Sequence, residues 1–151
     1  QKRNTTIQKL YSLKIIYHSL VIKTEAFLDT GNKVYDPITK YPVIIVEYKI
    51  LKNLLPDCIK NAYEKTNDDI SFLIQEASKS DLGIRIRAIP YHSLGNPNGI
   101  LLGFRPDKVY ICNNKGSWDS VENVIIAIYQ HDLHTEATYH ALLHADIVNK
   151  I

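Results

Sequence analysis

Ala26-Phe27-Leu28-Asp29-Thr30-Gly31 is the stretch on which the fold and the chemistry of this chain depend. It closes the run Leu20 to Leu28, in which Ile22, Thr24, Ala26 and Leu28 share one face while Lys23 and Glu25 lie on the other. A period of two marks a half-buried β-strand. A strand that ends in Asp-Thr-Gly delivers a carboxylate to a fixed place, and Gly31 leaves room for backbone N–H groups to approach it where a Cβ would obstruct. Asp, Thr and Gly also favour ordinary β-turns, so the tripeptide alone leaves a plain turn open.

Upstream, residues 10–17 form a strand-like run joined to the first by the short turn His18-Ser19. Downstream, residues 29–40 are turn-rich, and residues 42–48 read as a strand with Pro42 tolerated at its start. Ile50 to Lys65 has helical character broken by Pro56, which predicts two short helices. Asn67-Asp68-Asp69 can cap a further helix over 71–78. The block from Asn53 to Ser80 is therefore an insertion between β segments. Residues 84–89 alternate as a strand, and Gly95-Asn96-Pro97-Asn98-Gly99 is a turn signal. Residues 100–104 and 109–112 flank Arg105 to Lys108 as a hairpin. Val121 to Tyr129 reads as one buried strand, and Tyr139 to Val148 as a closing helix.

The 151 residues suit a single domain spanning 1–151, with 45% apolar and 23% charged residues, ordinary for a globular protein. The net charge of +2 comes from scattered Lys and Arg with no basic stripe, which argues against nucleic acid as a partner. Cys58 and Cys112 lie outside any metal-type spacing; a disulfide between them stays open, and two buried thiols in a reducing compartment are the favoured reading. No apolar run approaches the ~20 residues that span a bilayer. The sequence has no methionine, even at position 1, which suggests a domain cut from a longer protein whose remainder has room for a membrane anchor.

Aspartic proteases carry their catalytic acid in a strand-to-loop Asp-Thr-Gly setting. Peptide hydrolysis needs an activated water and a proton for the leaving amine, and two carboxylates sharing one proton supply both. The chain has one such motif, so this reading requires a homodimer with one Asp29 from each subunit. The Thr30 hydroxyl would bond across the symmetry axis, and no metal or organic cofactor is needed.

The wider sequence resembles the sporulation sigma-E factor-processing peptidases of endospore-forming bacteria. Leu28-Asp-Thr-Gly-Asn32, Asp36-Pro37 and Pro42-Val43 carry the resemblance near the loop. Arg87-Ala-Ile-Pro-Tyr91, Asn98-Gly-Ile-Leu-Leu102, Arg105-Pro-Asp107 and Tyr139-His-Ala-Leu-Leu-His144 follow in the same order. The resemblance covers roughly residues 10–150. It implies a mainly β, retropepsin-like aspartic protease subunit with helical insertions, and Asp29, Thr30 and Gly31 as the catalytic loop. It also implies a sigma factor precursor as substrate, trimmed at its N-terminus. A membrane domain would precede this one, placing it on the mother-cell side of the sporulation septum, and a forespore-derived signalling protein would activate it.

Retroviral-type proteases have a second element, two apolar residues and a Gly, beside the catalytic loop and before a final helix. Ile125-Ile126-Ala127 is the expected counterpart, with Ala in place of Gly loosening the dimer; Leu101-Leu102-Gly103 matches in letters but precedes a hairpin. The Gly95–Gly99 turn is a candidate flap, and the Asn53–Ser80 insertion is an alternative cover or a dock for the sigma factor.

Two other readings stay open. One is a non-catalytic module that binds a sigma factor or receives a signal. The other is a zinc protein using His131, His134, His140 and His144, although His140-Ala-Leu-Leu-His144 lacks the Glu that a zincin uses as base. Asp36, before Pro37, is expected to make local hydrogen bonds rather than to complete a carboxylate pair.

Overall fold

The computed structural model describes residues 8–66, 69–83, 85–93 and 96–151. Strands β1 (Leu10–Tyr17) and β2 (Leu20–Asp29) form an antiparallel hairpin, with Tyr17 opposite Leu20 and Leu10 opposite Phe27. His18 and Ser19 both have positive φ, 50° and 67°. Two such residues in a row make the tight turn whose twist suits a two-residue hairpin. Leu13, Ile15, Ala26 and Leu28 are buried on the inner face, as the alternation requires.

β3 (Val43–Glu47) is buried at all five positions, the mark of a central strand. Three helices follow it: α1 (Tyr48–Leu51), α2 (Asp57–Lys65) and α3 (Ile70–Ser78). Pro56 stands just before α2, where a missing N–H costs nothing. Asp69 caps α3, accepting the Phe72 N–H at 3.0 Å. Ile59, Ala62, Leu73 and Ala77 of the insertion join the core cluster that contains Leu28. Alternation along β2 directs Asp29 away from Leu28, so these insertion residues pack on the face opposite Asp29.

The remaining elements are β4 (Ile86–Ser93), β5 (Asn96–Phe104), β6 (Lys108–Cys112), β7 (Trp118–Val121), β8 (Ile125–Tyr129), β9 (Ala141–His144) and α4 (Ala145–Val148). Among the described residues nine strands form one sheet in the order β4-β5-β8-β3-β9-β2-β1-β6-β7, so the protein is mainly β. β3 pairs with β8, and β2 with β9, in parallel; the other ladders are antiparallel. Among the described residues the terminal strands β4 and β7 do not pair with each other. A second core cluster of Val43, Ile45, Ile89, Ile125 and Ala127 fills the opposite face of the β3–β8 region.

Four expectations need correction. β5 and β6 are not a hairpin: β5 pairs with β4 and β8, while β6 pairs with β1 and β7. Asp107 redirects the chain, its N–H bonding Ile16 O at 2.9 Å and its carboxylate accepting the His18 N–H at 2.7 Å. Val121 to Tyr129 is two strands, because Asn123 takes φ 60° and breaks the run between β7 and β8. Tyr139 to Val148 is mostly not helical: Ala141–His144 is strand β9, and only α4 is a helix. Asn96 to Gly99 of the expected turn are not a turn. Asn96 to Gly99 lie in β5, Ser93 pairs with Asn96, and Gly95 lies outside the described residues.

Candidate active site

Asp29 is the last residue of β2. Its Oδ1 accepts the Gly31 N–H at 2.9 Å, and its carbonyl accepts the Asn32 N–H at 2.9 Å. A Cβ built on Gly31 would stand 3.3 Å from Asp29 Oδ1, so the bare Cα lets the loop curl onto the carboxylate. Thr30 and Gly31 are exposed. Asn32 is buried and stitches the loop to β3, its Nδ2 donating to Val43 O at 3.3 Å and its Oδ1 accepting the Val34 N–H at 3.0 Å. The sequence reading saw Asn32 only as a turn residue; its two-sided amide bonding becomes visible once β3 lies alongside.

Asp36 is fully buried, and its carboxylate is engaged within the chain. Oδ2 accepts from Thr39 Oγ1 at 2.7 Å and from Arg87 Nε at 3.1 Å; Oδ1 accepts the Ile38 N–H at 3.2 Å. Burial opposes its ionisation, but the Thr39 hydroxyl, the Ile38 N–H and Arg87 together hold it below the usual carboxylate range. The local bonding expected of Asp36 is present, and Arg87 is an additional partner from β4 that local sequence does not reveal. Tyr91, also on β4, senses Asp29: burial first, then Tyr129 and Asp29, push its hydroxyl pKa up.

The strand beside Asp29 is β9, not β8. Ala26, Phe27, Leu28 and Asp29 pair in parallel with Ala141, Leu142, Leu143 and His144. β9 also pairs antiparallel with β3, so it lies between β2 and β3, and α4 follows directly. Ile125-Ile126-Ala127 is two strands farther away, beyond β3 and packed between β3 and β5. The apolar residues that lie beside Asp29 and ahead of α4 are Leu142-Leu143, followed by His144.

Residues 1–147 match the family model described as "Sporulation factor SpoIIGA". The chain belongs to this family. It is 29% identical over 146 residues to a sporulation sigma-E factor-processing peptidase of Priestia megaterium, covering 97% of this chain and 46% of that protein. It is 26% identical over 161 residues to the protein of that name from Bacillus subtilis strain 168, covering 99% of this chain and 48% of that one. A putative sporulation sigma factor-processing peptidase of Bacillus thuringiensis subsp. kurstaki is 28% identical over 139 residues, with 90% and 82% covered. The chain thus spans less than half the length of the first two relatives. No solved structure matches the chain.

Within this SpoIIGA-family domain the C-terminal histidines go separate ways. His140 Nδ1 lies 2.7 Å from Glu47 Oε1, His134 stacks on Tyr139, His131 packs edge-on to Tyr129, and His144 caps α4. Among the described residues, no three His, Cys, Asp or Glu side chains converge as metal ligands. Cys58 and Cys112 are free thiols, both partly buried. Among the described residues, no helix is long and apolar enough to cross a membrane.

Proposed function

We propose that this chain is the aspartic endopeptidase domain that removes the N-terminal pro-segment of a sporulation sigma factor precursor. The observation that carries the proposal is the placement of Asp29. Its carboxylate sits at the end of a strand, bonded to the Gly31 N–H, with β9 inserted between β2 and β3 and a helix following. That arrangement supports the reading as a retropepsin-like subunit. The substrate follows from the names borne by the relatives.

One chain offers one Asp29, and Asp36 is committed to Arg87 and Thr39. The working unit is therefore a homodimer in which two Asp29 carboxylates meet. Like charges at close range cannot both ionise, so one proton is shared. The ionised carboxyl removes a proton from water, whose oxygen attacks the scissile carbonyl carbon. The protonated carboxyl then gives its proton to the amine as the C–N bond breaks. Thr30 bonds to its counterpart across the axis, and Gly31 keeps each carboxylate in place. The β4–β5 hairpin, which brings Tyr91 towards Asp29, acts as the flap that excludes water. Family resemblance extends the reading to a preceding membrane domain, a mother-cell location and activation by a forespore-derived signalling protein.

The test is processing of a co-expressed sigma factor precursor by the wild-type protein and by Asp29→Ala at equal abundance. Processing by wild type alone supports the assignment. Equal processing by both removes it and leaves a non-catalytic binding module.

A further inference from the structure

His144 ends β9 directly opposite Asp29, with a relative exposure of 1%. Its Nδ1 accepts the Asp146 N–H at 3.0 Å, so in the neutral ring the proton sits on Nε2. Nε2 is buried and has no hydrogen-bond partner among the described residues. The ring packs edge-on against Tyr35, with centroids 4.6 Å apart, and the Tyr35 hydroxyl donates to the Asp146 carboxylate. His144, Asp146 and Tyr35 close a triangle that ties the loop following Asp29 to the start of α4. The β2–β9 ladder holds the other end of that loop. An unpaired buried donor is costly, and Asn, Ser or Asp would cap α4 without it. Helix capping alone does not account for an imidazole here.

We propose that His144 is a positioning residue for Asp29, clamping the Asp29–Tyr35 loop only while its imidazole is neutral. The inference rests on the reading of Asp29 as the reacting carboxylate. Protonation would turn Nδ1 from acceptor to donor against the Asp146 N–H and place a charge in a buried site. The groups facing the ring are Tyr35 and Lys33 from the loop and Asp146 from α4; Asp29 is its backbone pairing partner on β2, and Lys150, just past α4, acts on Asp146. Burial is the largest influence and lowers the His144 pKa below its ordinary 6.5; Asp146 opposes this and Lys33 adds to it. The clamp is therefore complete above pH 6.5 and is lost as pH falls through the lower folded value.

The experiment follows precursor processing from about pH 5 to 8 in membranes from cells expressing wild type, His144→Asn, His144→Leu or Asp29→Asn. Asn keeps an acceptor for the Asp146 N–H and does not titrate. The Asn variant should process within about threefold of wild type near neutral pH and lose the acid limb, whereas Leu should fall about tenfold or more. A wild-type acid limb in the Asn variant, or wild-type rates in the Leu variant, overturns the proposal. Unimpaired processing by Asp29→Asn would instead overturn the reading of the site. Imidazole 15N shifts of the wild-type chain give a readout that needs no variant to fold. A neutral Nε2–H tautomer at pH 7 is expected, and an Nδ1–H or doubly protonated ring would overturn the proposal.

Discussion

Arg87 Nε donates to Asp36 Oδ2 at 3.1 Å, joining β4 to the loop after Asp29 across 51 residues of sequence. Asp36 is fully buried and the Arg87 side chain is 18% exposed, so the pair is shielded from water. Removing one partner strands a buried charge, which costs about 3–5 kcal/mol. Arg87→Leu should lower stability by that order in urea denaturation. Asp36 has a folded pKa below its ordinary 3.8, so its contribution is whole above that value and is lost as pH falls through the lower folded one. Without Arg87 the folded value rises, and the acid-unfolding midpoint should move to higher pH. An unchanged midpoint would mean that Thr39 and Ile38 alone hold the carboxylate.

Gly31→Ala isolates the placement of the Asp29 carboxylate. Gly31 is not among the residues with positive φ, so Ala fits its backbone. The new Cβ would meet Asp29 Oδ1 at 3.3 Å, tight enough to displace it by a few tenths of an ångström. Misplacement on this scale costs catalysis far more than folding. Processing should fall about tenfold or more while the thermal midpoint stays within about 2 °C of wild type. A large drop in midpoint with normal residual activity would show that Gly31 serves the fold and not the carboxylate.

The elements legible in the sequence are those whose causes are local. Alternation marks β1 and β2, Pro56 separates α1 from α2, and the Asp69 cap starts α3. β9 was misread because Ala141-Leu-Leu-His144 is too short for its period to distinguish strand from helix. What decides its conformation is the slot between β2 and β3, where Leu142 pairs with Ile45 and Ala141 with Val46. The same limit applies at the site. The Asp29–Gly31 contact spans two residues and is visible in the tripeptide. Arg87 and His144 reach the loop through sheet pairings that no local pattern encodes.

Glu47 provides a second buried acid whose partners are non-local. It accepts the Leu133 N–H at 2.7 Å, contacts His140 Nδ1 at 2.7 Å, and lies 3.6 Å from Lys49 Nζ. His140 is held by backbone as well, its N–H donating to Glu25 O and its carbonyl accepting from Glu47 N. Glu47→Ala strands the Leu133 N–H and His140 and should cost about 3 kcal/mol in urea denaturation. Glu47→Gln, which keeps an acceptor for Leu133, should cost about 1 kcal/mol. With His140 committed in this way, added zinc should leave the thermal midpoint unchanged. A zinc-dependent rise would restore the metal reading of the C-terminal histidines.

Sharing one active site between two Asp29 residues makes the activity of mixed populations diagnostic. Asn at position 29 can still accept the Gly31 N–H through its side-chain oxygen, so Asp29→Asn should fold and associate normally. It cannot ionise, and a dimer with one Asp and one Asn lacks the acid–base pair. Random assortment of equal amounts leaves about one quarter of dimers with two carboxylates. Co-expression of wild type and Asp29→Asn should therefore reduce processing to about a quarter of that from the same total amount of wild type. A value near one half would mean that each chain acts alone, and the shared-carboxylate mechanism would have to be abandoned even if Asp29 proved essential.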